Sequence, residues 1–136
     1  MVKLKCHELH ELNKILQNVS VKELIGKQNL IVGNIIFDSR KVDDNCIFVA
    51  VSGTQVDGHD FIEKAIQGKA IVIVCEVLPE RLHKGVTYIK VSDSNEALGV
   101  MSSNFYGNPS GQLKLIGITG TNGKTTTVTL LHDLFS

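Results

Sequence analysis

Ala70-Ile71-Val72-Ile73-Val74-Cys75 is an apolar run of strand length with no polar break, and it limits the folds open to this chain more than any other segment. A strand with one wet face alternates apolar and polar residues. A continuous run needs cover on both faces, as in a parallel or mixed sheet layered by helices. Neighbouring segments fit such a sheet. Cys46 to Val51 and Thr87 to Val91 read as strands, and so does Ile35-Ile36-Phe37. The turn-rich Lys41-Val42-Asp43-Asp44-Asn45 makes the first two of these in chain order neighbours. Helical patterns lie between the strands. Phe61, Ile62, Ala65 and Ile66 follow Asp60, an N-cap candidate with Glu63 as its capping-box partner and Gly68 as the C′ residue. Leu98, Met101 and Phe105 follow the same pairing of Asp93 with Glu96. Leu9, Leu12, Ile15 and Leu16 predict a short amphipathic helix over residues 8–16. The stretch holding Ser20, Gly26 and Gly33 carries no clear element signal. Strands alternating with helices define an α/β fold with a mixed or parallel sheet. Gly107-Asn108-Pro109-Ser110-Gly111 ends the last of these helices and predicts a boundary between residues 1–111 and 112–136.

Beyond that boundary, Leu113 to Ile118 reads as a strand and Val128 to Phe135 as a helix, with Thr119-Gly120-Thr121-Asn122-Gly123-Lys124-Thr125-Thr126-Thr127 between them. Gly120 and Gly123 allow backbone N–H groups to approach a polyphosphate with no Cβ in the way. Lys124 can reach the β- and γ-phosphates, and the hydroxyl of Thr125 can join the coordination shell of Mg²⁺. The helix N-terminus adds its positive dipole end. The pattern departs from G-x-x-x-x-G-K-[ST] at one place: Ile118 holds the first glycine's position, and Gly117 falls one residue early. ATP-binding candidates are therefore Gly120, Thr121, Asn122, Gly123, Lys124, Thr125 and Thr126, with Lys124 acting on the transferring phosphoryl group. A P-loop ATPase needs a further acidic Mg²⁺ ligand and an acceptor site, so the chain reads as the N-terminal piece of a longer enzyme.

A second polar cluster sits beyond two predicted strands: Asp38-Ser39-Arg40, and Gly53-Thr54-Gln55-Val56 leading into Asp57-Gly58-His59-Asp60. Ligands of open α/β sheets bind outside the carboxyl ends of strands. The Ser39 hydroxyl and the N–H groups of Gly53 to Val56 suit a pyrophosphate. Arg40 can pair with phosphate or, equally, with Asp38, Asp43 or Asp44. His59 can help to fix the loop. His7 and His10 share a helical spacing that a metal could use, but exposed helix histidines fit that spacing as well.

Lys+Arg and Asp+Glu number 14 each, for a formal net charge of zero. Nothing in that balance supplies the basic field a nucleic-acid partner requires. Cys6, Cys46 and Cys75 are widely spaced and lack a C-x-x-C pair, which suits buried free thiols in a reducing compartment. The N-terminus becomes charged too early for a signal peptide, and no segment is long enough to span a bilayer. A cytoplasmic protein with no membrane partner is expected.

With these motifs in view, the chain resembles the N-terminal part of the Mur ligases. The matching residues are Asp38-Ser39-Arg40-Lys41-Val42, Phe48-Val49-Ala50-Val51-Ser52-Gly53, Asp57-Gly58-His59-Asp60-Phe61-Ile62 and Ile118 to Thr127. The resemblance implies a ligase whose first domain holds the uridine diphosphate end of its substrate, at positions matching Ser39, Gly53, Thr54, Gln55 and Val56. Many family members carry His where this chain has Thr54. A central domain would bind ATP and Mg²⁺ at the loop matching Gly120 to Thr126. In the implied reaction ATP phosphorylates the D-glutamate γ-carboxylate of UDP-N-acetylmuramoyl-L-alanyl-D-glutamate, and the amine of a diamino acid attacks the acyl phosphate. Two other readings are a stand-alone nucleotide-sugar binding module and the family member that adds D-alanyl-D-alanine. The chain alone is expected to be inactive, and the apolar residues of 112–136 are expected either to pack against a second copy, so that the chain self-associates, or to be mobile.

Overall fold

The computed structural model describes residues 9–108. The predicted strand, phosphate loop and helix of residues 112–136 lie outside them, as do His7 and Cys6. The described chain runs β1 (His10–Glu11), α1 (Leu12–Ile15), β2 (Val21–Ile25), β3 (Ile31–Val32), β4 (Asn34–Ile36), a 3-10 turn (Ser39–Lys41), β5 (Cys46–Val49), a second 3-10 turn (Gly58–Phe61), α2 (Ile62–Gln67), β6 (Val72–Cys75), β7 (Thr87–Val91) and α3 (Ser94–Phe105). A five-stranded sheet has the order β2-β7-β6-β5-β4. Its strands β4 to β7 are mutually parallel, and β2 joins β7 antiparallel at the edge. The small antiparallel pair β1-β3 stands apart from this sheet.

Val72 to Cys75 of the apolar run form β6 and are all buried, as their composition requires. Its register explains how two cores form from one sheet. Ile36, Phe48, Ile73, Tyr88 and Ile25 are partners in one row across all five strands, and this row packs with Ile62 and Ala65 of α2. The adjacent row, Val49, Val74 and Ile89, faces the other way and packs with Leu12 and Ile15 of α1 and Ala97, Met101 and Phe105 of α3. Each fully buried aliphatic or aromatic side chain contributes on the order of 1.5–3 kcal/mol, and both layers depend on the period of two. Cys46 and Cys75 are buried free thiols, and burial pushes Cys75 up to about 11.

Three local expectations change. Residues 8–16 do not form one helix: His10 and Glu11 pair with Val32 and Ile31. The Leu12 N–H donates to Leu30 O at 2.8 Å, so helical spacing serves the buried pair Leu12 and Ile15 and the partly buried Leu16 packed beside them, while Leu9 is exposed. Asp60 is not the cap before α2. Asp57 caps the preceding 3-10 turn by accepting from the His59 N–H. Nor is Gly68 the C′ residue of α2. Lys69 takes the left-handed conformation at φ 73°, and Lys69 N–H to Ile66 O with Ala70 N–H to Ala65 O completes a Schellman motif. Gly68 is required one residue earlier, because a Cβ there would lie 2.9 Å from Val42 Cγ1.

The caps of α3 follow the sequence. Asp93 accepts from the N–H groups of Asn95 and Glu96. Gly107, at φ 74°, closes the C-terminal end, with Asn108 N–H bonded to Ser103 O and Gly107 N–H to Asn104 O.

Candidate functional site

Parallel strands place their carboxyl ends on one edge of the sheet, and the candidate site lies on that edge beyond β4 and β5. A cleft of about 590 Å³ opens there, lined by Phe37, Asp38, Ser39 and Arg40 after β4, Val51, Gly53, Val56 and Gly58 after β5, and Phe61 and Lys64 across the start of α2. Of the residues expected to hold a uridine diphosphate, the fold brings Ser39, Gly53 and Val56 together. Thr54 and Gln55 sit at the exposed tip of the same loop and do not line the cleft.

The β4 side is ordered by an Asx-type turn. Asp38 Oδ1 accepts the Arg40 N–H at 3.0 Å, and the two carboxylate oxygens take the Arg40 guanidinium at 3.0 and 2.9 Å. Of the uses open to Arg40, pairing with Asp38 is the one formed. This guanidinium holds the Asp38 carboxyl at about 2. Ser39 is half-buried, and its hydroxyl makes no hydrogen bond among the described residues.

The β5 side is a loop fixed at both feet. Gly58 N–H donates to Val51 O at 2.9 Å, and Ser52 N–H donates to the fully buried Ser94 Oγ at 3.0 Å. Ser94 in turn gives its hydroxyl and N–H to Glu76 Oε1, at 2.7 and 2.8 Å, at the N-terminus of α3. Those two bonds hold the Glu76 carboxyl below its ordinary range, led by the Ser94 hydroxyl. His59 completes the frame. Its Nε2 accepts the N–H groups of Glu76 and Val77 at 3.0 and 3.3 Å, so the proton sits on Nδ1, 2.6 Å from Asp57 Oδ1. Asp57 is lowered by accepting the His59 N–H and then its ring N–H. Between these feet, the N–H groups of Gly53, Thr54, Gln55 and Val56 have no acceptor among the described residues.

Sequence reading missed Phe37, Phe61 and Lys64 as cleft residues. Phe37 directly follows β4, so strand-end position was the available signal for it, whereas Phe61 and Lys64 lie at the start of α2, beyond the β5 loop, and carry no such signal. Among the described residues, no group of three or more His, Cys, Asp and Glu side chains could hold a metal ion, and no helix is long and apolar enough to cross a membrane.

A mixed α/β layer with a ligand-sized cleft at the carboxyl edge of its parallel strands defines the class. Residues 32–106, more than half of the chain, match the family described as Mur ligase family, catalytic domain, and the chain belongs to that family. It is 49% identical over 125 residues to the UDP-N-acetylmuramoyl-L-alanyl-D-glutamate–2,6-diaminopimelate ligase of Phocaeicola vulgatus, covering 92% of this chain and 26% of that protein. The enzyme of the same name from Cytophaga hutchinsonii is 50% identical over 126 residues, with the same 92% and 26% coverage. The chain thus spans about a quarter of the length of these relatives. Among solved structures, MurF from Acinetobacter baumannii aligns with a TM-score of 0.63 at 26% identity, over 88% of this chain and 26% of that one. MurF ligase from Thermotoga maritima in complex with ADP aligns at 0.51 with 30% identity, over 69% and 21%.

Proposed function

We propose that residues 1–111 form the substrate-holding domain of a diaminopimelate-adding Mur ligase, with the uridine diphosphate end of UDP-N-acetylmuramoyl-L-alanyl-D-glutamate in the cleft. The observation that carries this reading is the convergence at one carboxyl edge of an uncommitted Ser39 hydroxyl and a loop of unspent N–H donors. Phe37 and Phe61 add apolar surface for a base or sugar. Relatives named for 2,6-diaminopimelate, at 49–50% identity, favour that amino acid over L-lysine. They also favour this member over the D-alanyl-D-alanine ligase, whose Acinetobacter structure stands at 26%.

Residues 112–136 open the ATP-binding domain, with Gly120 to Thr126 around the phosphates and Thr125 toward Mg²⁺. Lys124 offsets charge on the transferring phosphoryl group, where catalysis of this kind obtains most of its rate. The ligase works in the cytoplasm, a reading supported by the free thiols of Cys46 and Cys75, which suit a reducing compartment.

Calorimetric titration of the chain with UDP-N-acetylmuramoyl-dipeptide, UDP and Mg-ATP tests the assignment. Binding of both UDP ligands, weakened on changing Ser39→Ala, is the expected result. Binding of Mg-ATP with no response to either UDP ligand would overturn the substrate-domain reading.

A further inference from the structure

The cleft lining holds one carboxylate, Asp38, and two cations, Arg40 and Lys64, in a chain whose formal net charge is zero. The cations are not equivalent. Arg40 is committed to both oxygens of Asp38, so its charge is balanced within the pair. Lys64 has no carboxylate within ion-pair distance among the described residues. Its neighbour Glu63 is taken by His83 Nε2 at 3.0 and 3.1 Å. The excess positive charge of the cleft is therefore that of Lys64. It lines the same cleft as Ser39 and as Gly53 and Val56 of the β5 loop, on a flexible stem with three donors that can follow an anion's oxygens.

We infer that Lys64 is a ligand-binding residue that holds a phosphate group of the nucleoside diphosphate in this cleft. The inference rests on the nucleotide reading above and adds a charged contact to it. An exposed ammonium is screened by water, so the effect is modest and selective for charge.

Titrating the chain and its Lys64→Gln, Lys64→Glu and Lys64→Arg variants with UDP and with uridine separates the alternatives. Lys64→Gln should weaken UDP about two- to fivefold, Lys64→Glu should weaken it further, and Lys64→Arg should restore it. Uridine affinity should be unchanged throughout. Raising salt from about 50 to about 500 mM should weaken UDP binding to the unaltered chain more than to Lys64→Gln. UDP binding that is the same in Lys64→Gln overturns the role of Lys64 and leaves the nucleotide site standing. Equal losses for UDP and uridine also overturn it, because they mark a packing effect. No UDP binding by the unaltered chain overturns the site and the Lys64 role together. Lys64 is exposed, so unchanged thermal unfolding of each variant provides the folding control.

Discussion

Gly58→Ala is expected to break the frame of the cleft from a position that no side chain occupies. A Cβ built there lies 2.6 Å from Val51 N, 2.8 Å from Val51 O and 2.9 Å from Ala50 C. All three are backbone atoms at the end of β5, so no rotamer change can relieve the contact. Overpacking of this kind costs about 1–3 kcal/mol, and the stretched Gly58 N–H to Val51 O bond adds about 0.5–1.5 kcal/mol. Reduced entropy of the unfolded chain returns about 0.4–1 kcal/mol, which leaves a net loss of about 2 kcal/mol. For the roughly hundred described residues this corresponds to a fall in Tm of about 8–16 °C. Gly99→Ala is the matched control. Gly99 lies within α3, and its Cβ would meet nothing within 4 Å, so the change should stabilise by about 0.5–1 kcal/mol. Urea unfolding followed by far-ultraviolet circular dichroism reads both. A Gly58→Ala loss below about 0.5 kcal/mol, with UDP affinity intact, would show that the loop yields freely and that the steric reasoning is wrong.

Thr87→Val should destabilise by about 1–2 kcal/mol in the same assay, because the buried Thr87 hydroxyl exchanges hydrogen bonds of 3.0 Å with both the N–H and the C=O of Lys27. His59→Leu removes the acceptor for two N–H groups and the donor to Asp57. A loss of about 2 kcal/mol and faster hydrogen exchange at Glu76 and Val77 are expected; unchanged exchange would count against the bridge. Asp38 sits at about 2 in the folded chain against 3.8 unperturbed. The stability it contributes is therefore fully present above pH 3.8 and is lost as pH falls toward 2. Arg40→Ala should return the Asp38 titration, followed by carboxyl NMR, toward its ordinary value.

The sheet was legible because its strands are buried on both faces: the runs at Cys46, Ala70 and Thr87 can hardly be anything else in a chain of this length. The edge was not legible. Val21–Ile25 has mostly exposed residues and a register shift against β7, and its place depends on partners 63 to 70 residues further along, from Ile25 with Tyr88 to Val21 with Val91. Residues 8–16 misled because Leu9, Leu12, Ile15 and Leu16 have helical spacing, yet Leu12 N–H is spent on Leu30. Sequence pattern sees side chains and not that backbone competition. At α2 the aspartate and glycine signals were read three residues and one residue off. Asp57 serves a 3-10 turn that precedes the helix, and Gly68 is dictated by the nearness of Val42. In the cleft, Ser39, Phe37 and the Gly53–Val56 loop could be paired through strand ends, whereas Phe61 and Lys64 join only once β4 is hydrogen-bonded beside β5 and α2 packs over them.

The β5 loop has a division of labour that bears on how such a site can change. Its feet are tied by backbone groups, by Ser94 and by His59, while Thr54, Gln55 and Val56 protrude with their side chains in solvent. The tip behaves as an interchangeable cartridge on a permanent mount. Residues 54–56 can be exchanged while the two cores are left untouched, and of the three only Val56 lines the cleft. A change of comparable size at Gly58 or His59 reaches into the sheet and the start of α3. Sequence variation that spares the fold therefore belongs at three adjacent codons.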